Sequence, residues 1–177
     1  MLIDTLAAVA ILIVGLLGFI ATRPNTFRVE RSVRIAAPAD RIFPLIDDFH
    51  EWPKWSPYEG MDPDMKRSYG DTAHGVGATY AWDGNARAGQ GRMEILESAP
   101  NSLVRIKLDF SKPFVAHNTA EFAIRPDGTG ALVTWAMYGP QAFMNKAMGL
   151  VMSMDKLVGG EFDKGLANLK RVSETAA

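Results

Sequence analysis

Val104-Arg105-Ile106-Lys107-Leu108-Asp109-Phe110 places an apolar side chain at every second position and a charged one between. Side chains on a strand alternate between its two faces, so this stretch reads as a strand with one face buried and one in water. The pattern repeats on both sides of it. Tyr80 and Trp82 share a face before Asp83-Gly84-Asn85 breaks the run, and Met93 and Ile95 share one before Pro100-Asn101. Phe122 and Ile124 lead into the hairpin signal Asp127-Gly128, after which Val133, Trp135 and Met137 continue. Consecutive strands joined by turns make an antiparallel sheet. Upstream, Phe27, Val29, Val33 and Ile35 form a further strand whose apolar face is interrupted once, by Arg31. A helix start follows at Ala37-Pro38-Ala39-Asp40, and Pro44 inside its apolar run predicts a short or kinked helix. Beyond Gly139-Pro140 the period turns helical, with Met144, Met148, Val151, Met152, Asp155, Phe162, Leu166 and Leu169 close to one stripe. Gly159-Gly160 predicts a bend in that helix, whose first half, Met144 to Val158, would then be a movable wall. The order of strand, short helices, run of strands and long helix predicts an α+β domain, a curved antiparallel sheet wrapped around a C-terminal helix.

The 177 residues carry 19 basic and 20 acidic side chains and no cysteine. This excludes a disulfide scaffold and a cysteine-held zinc, and the missing basic excess argues against a nucleic-acid partner. Leu2 to Ala21 holds Asp4 as its only charge. Twenty residues of helix at ~1.5 Å each span ~30 Å, the thickness of a bilayer's hydrocarbon core, so residues 1–22 are expected to be a single transmembrane anchor and 23–177 one domain. A cleaved signal peptide would need a basic start and small residues before the cut, whereas this start carries Asp4, and a cut after Ala21 would leave Phe19 three positions before it. Arg23, Arg28, Arg31 and Arg34 follow the span, which by the positive-inside rule points the domain to the cytoplasmic side of an inner membrane.

The stretch Phe49-His50-Glu51-Trp52-Pro53-Lys54-Trp55-Ser56-Pro57 after the Ala37-Pro38 helix start resembles the SRPBCC superfamily, the START and birch-pollen-allergen-like helix-grip proteins. Tyr80-Ala81-Trp82-Asp83-Gly84-Asn85, Gly89-Gln90-Gly91-Arg92-Met93 and Thr134-Trp135-Ala136-Met137 are similar to its polyketide cyclase/dehydrase-like group. The resemblance covers nearly everything after Thr26. It implies a helix-grip fold with a hydrophobic cavity between sheet and C-terminal helix, which superfamily members use to bind lipids, polyketides or other apolar molecules.

The inner faces assign the ligand-contacting candidates: Tyr80, Trp82, Met93, Ile95, Phe110, Phe122, Trp135 and Met137 from the strands, facing Met144, Met148 and Met152 from the helix. The bland reading is plain core. Methionine's flexible thioether suits a wall that adapts to its contents. Trp52 and Trp55 form either a lid at the cavity mouth or a plug at one end of the sheet. Asn118 and Asp155 interrupt apolar faces and either orient a ligand or satisfy hydrogen bonds inside a core.

No serine-nucleophile elbow, phosphate-binding glycine loop or His-Glu-x-x-His helix is present. His50, His74 and His117 show no catalytic arrangement, and strand parity turns His117 to solvent. No catalytic residue, metal or cofactor is assigned. The expected function is a membrane-anchored binding domain for a hydrophobic small molecule or lipid. The alternatives are a polyketide cyclase or dehydratase, with Asp155 or a histidine as acid or base, and a protein-interaction module of the chaperone-activator kind.

Overall fold

The computed structural model describes residues 2–141, 146 and 154–175. Helix α1 (Leu2–Ala21) leads into strand β1 (Thr26–Ile35), helix α2 (Ala39–Asp47) and two 3-10 turns (Phe49–Lys54 and Pro57–Gly60). Six strands follow: β2 (Lys66–Tyr69), β3 (Thr79–Asp83), β4 (Gln90–Ala99), β5 (Leu103–Lys112), β6 (Ala116–Asp127) and β7 (Gly130–Pro140). Helix α3 (Met154–Thr175) closes the described chain. The strands form one seven-stranded antiparallel sheet in the order β1-β7-β6-β5-β4-β3-β2. Consecutive strands pair from β2 to β7, and β1 returns to the far edge beside β7. This is the α+β arrangement the periodicities predict and the helix-grip fold the resemblance implies.

Alternation within each strand supplies the core. Ile95, Val104, Ile106, Phe122, Ile124 and Val133 point inward and are buried against α2 and α3. Two register shifts in β4, between Gln90 and Gly91 and between Ile95 and Glu97, give that strand extra twist where the sheet bends around the helix. From α3, Phe162, Leu166 and Leu169 enter the core at helical spacing.

The structure departs from the sequence reading at two places. Strand β2 has no counterpart in the sequence reading, because all four of its residues are exposed and carry no alternation. The expected transmembrane span is corrected for the described side chains: among the described residues no helix is long and apolar enough to cross a membrane. The expected start of the C-terminal helix, with Met144, Met148, Val151 and Met152, lies outside the described residues.

Candidate functional site

Two tryptophans set the end of the site. The last turn of a helix leaves carbonyls without intrahelical partners. Here Trp52 Nε1 donates to Ile46 O at 3.0 Å and Trp55 Nε1 to Leu45 O at 2.7 Å, so the 3-10 turn is tied to the end of α2. Both rings are buried. Trp55 meets Phe122 edge-on at 5.8 Å, Phe122 stacks on Trp135 at 4.9 Å, and Trp135 stacks on Phe162 of α3 at 4.1 Å.

Beyond this aromatic stack, between sheet and α3, lies a cavity of about 300 Å³. Of the expected residues, Trp52, Tyr80, Trp82, Met93, Phe110, Trp135 and Met137 line it. Tyr80 and Met93 are register partners on β3 and β4, and Trp82 is fixed by its Nε1 donating to Ala88 O at 3.0 Å. Trp55, Ile95 and Phe122 face the same way but lie in the packed core, and Asn118 is buried away from the cavity wall. Met144, Met148 and Met152 fall outside the described residues. Asp155 is corrected: its side chain is exposed and paired with Arg31 across 2.8 Å, so it is no group of the cavity. Two wider hollows, of about 590 and 540 Å³, open to solvent along Lys66, Asp109 and His117 and between Pro57 and α3.

The sequence reading missed the polar part of the wall. Glu59, in the turn Pro57–Gly60, has a side chain only 7% exposed. Its Oε1 accepts from the Tyr80 hydroxyl at 2.7 Å and its Oε2 from Arg67 Nε at 2.6 Å, while Arg67 Nη2 donates to the Glu59 carbonyl at 2.8 Å. The guanidinium therefore clamps the carboxylate by side chain and backbone together, and this hydrogen bond raises the pKa of Arg67. Burial, and then the bond to Glu59, pushes the Tyr80 phenol far up, and burial does the same for Tyr58. Both phenols remain protonated donors at any physiological pH. Ser56, Tyr58 and Glu161 also line the cavity. Nothing in the sequence marks Tyr58, Glu59 and Arg67, which sit in a turn or on an edge strand without periodicity, and Glu161 lies on α3 outside the apolar stripe.

None of the three histidines lines this cavity. His50 Nδ1 lies 2.8 Å from Asp48 Oδ1 and its ring stacks on Tyr69, while His117, exposed as expected, lies 2.7 Å from Asp109 Oδ1. His74 is exposed, 3.8 Å from Asp47. Among the described residues no group of three or more histidine, aspartate or glutamate side chains could hold a metal ion.

Residues 26–174 match the family described as "Polyketide cyclase / dehydrase and lipid transport". No curated protein matches the chain. Among solved structures, protein CV1439 from Chromobacterium violaceum is similar at 18% identity and a TM-score of 0.56, over 86% of this chain and 99% of that one. The Aha1 dimer from Colwellia psychrerythraea is similar at 16% identity and 0.57, over 84% and 97%. The di-domain ARO/CYC StfQ from the steffimycin biosynthetic pathway shares 11% identity at 0.61, over 84% of this chain and 49% of that one. At these identities the likeness is one of fold.

Proposed function

This chain belongs to the polyketide cyclase/dehydrase and lipid transport family, and from that premise we propose that it binds a hydrophobic small molecule or lipid in the cavity between sheet and α3. The single observation carrying the reading is the cavity itself: about 300 Å³ walled largely by Trp52, Trp82, Met93, Leu108, Phe110 and Met137, with few polar groups among them. Concave, apolar sites with a small number of placed polar groups are the usual form of small-molecule sites. Protein interiors otherwise pack to crystal density, so an open volume of this size inside a core asks for an occupant.

In the same proposal α1 attaches the domain to a membrane. Its support is the apolar sequence Leu2 to Ala21 and the exposure of Ile11, Leu12 and Val14. The arginines at 23, 28, 31 and 34 favour the cytoplasmic face of an inner membrane. A lipid-like ligand partitions into that same bilayer.

One observation favours a second reading, a cyclase or dehydratase. Glu59 and Tyr80 form a hydrogen-bonded carboxylate and phenol on the cavity wall, where a proton could be passed to or from a bound polyketide-like substrate.

Native mass spectrometry of the purified chain tests the binding reading. A co-purified apolar mass, released on denaturation, is the expected result. A ligand-free mass together with no emission change from a polarity-sensitive fatty probe overturns it. Turnover of a bound polyketide that stops in Glu59→Gln would instead establish the enzyme.

A further inference from the structure

A single apolar side chain on a surface needs no explanation, whereas a group of them at one point of the fold does. Outside α1, Phe114 and Val115 are the two most exposed large apolar side chains among the described residues, at 74% and 73%. They are neighbours at the tip of the β5–β6 hairpin, where residues 111–115 are all exposed.

Strand register fixes where this tip lies. Thr26 opens β1 opposite Pro140 at the end of β7, and Tyr138 of β7 pairs with Thr119 near the start of β6. Ala116 pairs with Phe110, Lys112 with Gln90, and Gln90 with Asp83. One end of the sheet therefore gathers the start of β1, the hairpin tip and the β3–β4 loop. Residues 22–25 alone separate α1 from that start of β1. In the order β1-β7-β6-β5, at ~4.8 Å between neighbouring strands, β1 and β5 lie ~14 Å apart. The exposed apolar pair and the exposed apolar helix thus leave the domain at the same end.

The charges beside them suit a lipid surface. Lys112 precedes the tip and Arg23 follows α1, both exposed, and the Arg23 guanidinium lies 4.9 Å from the centre of the Phe19 ring. Such long cationic side chains lay their stems along apolar surface and carry the charge out to the headgroups. Asp109, on the β5 side of the hairpin, is countered by Lys107 at 2.9 Å and by His117 at 2.7 Å. The tip is also joined to the cavity. Gly89, at a φ of +67°, approaches β5 so closely that a β-carbon there would stand 2.6 Å from the Lys112 carbonyl oxygen. Arg87 and Ala88, just before it, line the cavity with Trp82 and Phe110. The base of the hairpin therefore rests against the loop that walls this end of the cavity.

We propose that Phe114 and Val115 insert into the headgroup region of a lipid bilayer, the one to which α1 attaches, so that two contacts hold the domain with the Trp82 and Phe110 end of its cavity toward the lipid. The inference rests on the membrane attachment of α1 and adds a second contact and an orientation.

The chain has no cysteine, so Phe114→Cys in the full chain takes a single polarity-sensitive fluorophore. Val76→Cys is the control, since Val76 is 62% exposed in the loop before β3, at the opposite end of the sheet. In vesicles of phosphatidylethanolamine and phosphatidylglycerol, the label at 114 should emit to the blue of the label at 76. It should also lose emission to a lipid-borne nitroxide placed ~5 to 10 Å into the headgroup and acyl boundary, the depth that interfacial apolar faces reach, whereas the label at 76 should not. Val115→Cys gives the same reading should Phe114→Cys not fold. Labels at 114 and 76 that emit and quench alike, in a chain that still floats with the vesicles, overturn the hairpin contact and leave the attachment of α1 intact. A blue shift at 114 without quenching, fading as the chain is diluted in the bilayer, assigns the patch to a second copy of the chain and also overturns the proposal. A chain that does not float with the vesicles removes both readings.

Discussion

Arg31 Nη1 donates to Asp155 Oδ1 at 2.8 Å, joining the one charged residue on the inward side of β1 to the first turn of α3. Arg31 Nε also reaches Asp163 Oδ2 at 3.3 Å, two helical turns further on. The guanidinium thus spans two carboxylates on one helix face and sets the height of α3 over the sheet edge. Gly159 lies between them, and a β-carbon there would stand within clashing distance of Arg31 Nη2.

The ion pair makes stability depend on acid pH in a stated direction. The hydrogen bond from Arg31 holds the Asp155 carboxyl below the ordinary carboxylate value. A depressed folded pKa contributes stability that is present above the unfolded value, near 4, and lost as pH falls through the folded one. Wild type should therefore resist urea better than Asp155→Asn at pH 7, and the gap between their midpoints should close below about pH 4. A gap of equal size at pH 7 and pH 2 would show that the charge of Asp155 contributes nothing.

The adjacent glycines of α3, Gly159 and Gly160, should respond differently to substitution. Glycine in a helix interior costs ~1 kcal/mol relative to alanine. Nothing lies within 4 Å of a β-carbon at Gly160, so Gly160→Ala should raise stability by ~1 kcal/mol. At Gly159 the same gain is opposed by displacement of Arg31 from Asp155, so Gly159→Ala should gain less or lose. Comparing unfolding free energies of the single and double variants checks this. A gain of ~2 kcal/mol in the double variant, with ligand exchange slowed, would restore the glycine pair as a hinge for a movable wall.

Arg31 and Asp155 also show how far the sequence is legible. Each interrupts an apolar pattern, one at period two and the other at helical spacing, and each read alone looks like a misplaced charge. The structure pairs them. Sequence periodicity assigns a face, and it is silent on which element stands opposite. The same limit explains Ile95 and Phe122, which share the inner face with Met93 and Trp135 but sit where the sheet is packed solid. Parity reports the side of the strand, whereas depth along it depends on where α2 and the two tryptophans fill the space. Glu59 and Arg67 were unreadable for another reason. A turn and a fully exposed edge strand obey no period, and their partnership joins residues eight apart in sequence through a backbone carbonyl and a carboxylate.

The membrane proposal makes a topological prediction. In a bacterial host, a reporter active only outside the cytoplasm should stay silent when fused after Ala177, because the arginines following the apolar segment retain it inside. The chain should also sediment with membranes through an alkaline carbonate wash. Strong reporter activity reverses the orientation. A product shortened to begin near Thr22 would show that the apolar segment is a cleaved leader.

The cavity itself is separable from ordinary core by filling it. Ala120 is buried on the inward face of β6, opposite Met137 of β7 and Ile106 of β5, and lines the open volume. Adding methylenes to a fully packed core costs ~1 to 3 kcal/mol, because side chains must leave their rotamers. Adding them to an empty apolar space instead buries new surface, at ~0.8 kcal/mol of stabilisation per methylene. Ala120→Met should therefore keep or raise the unfolding free energy while cutting the affinity of a fatty fluorescent probe about tenfold or more. Ala123, three positions on and on the opposite face of the strand, is the control: Ala123→Met should leave probe affinity unchanged. Loss of stability in Ala120→Met with probe binding intact would mean that the probe sits elsewhere and that the space between sheet and α3 is filled.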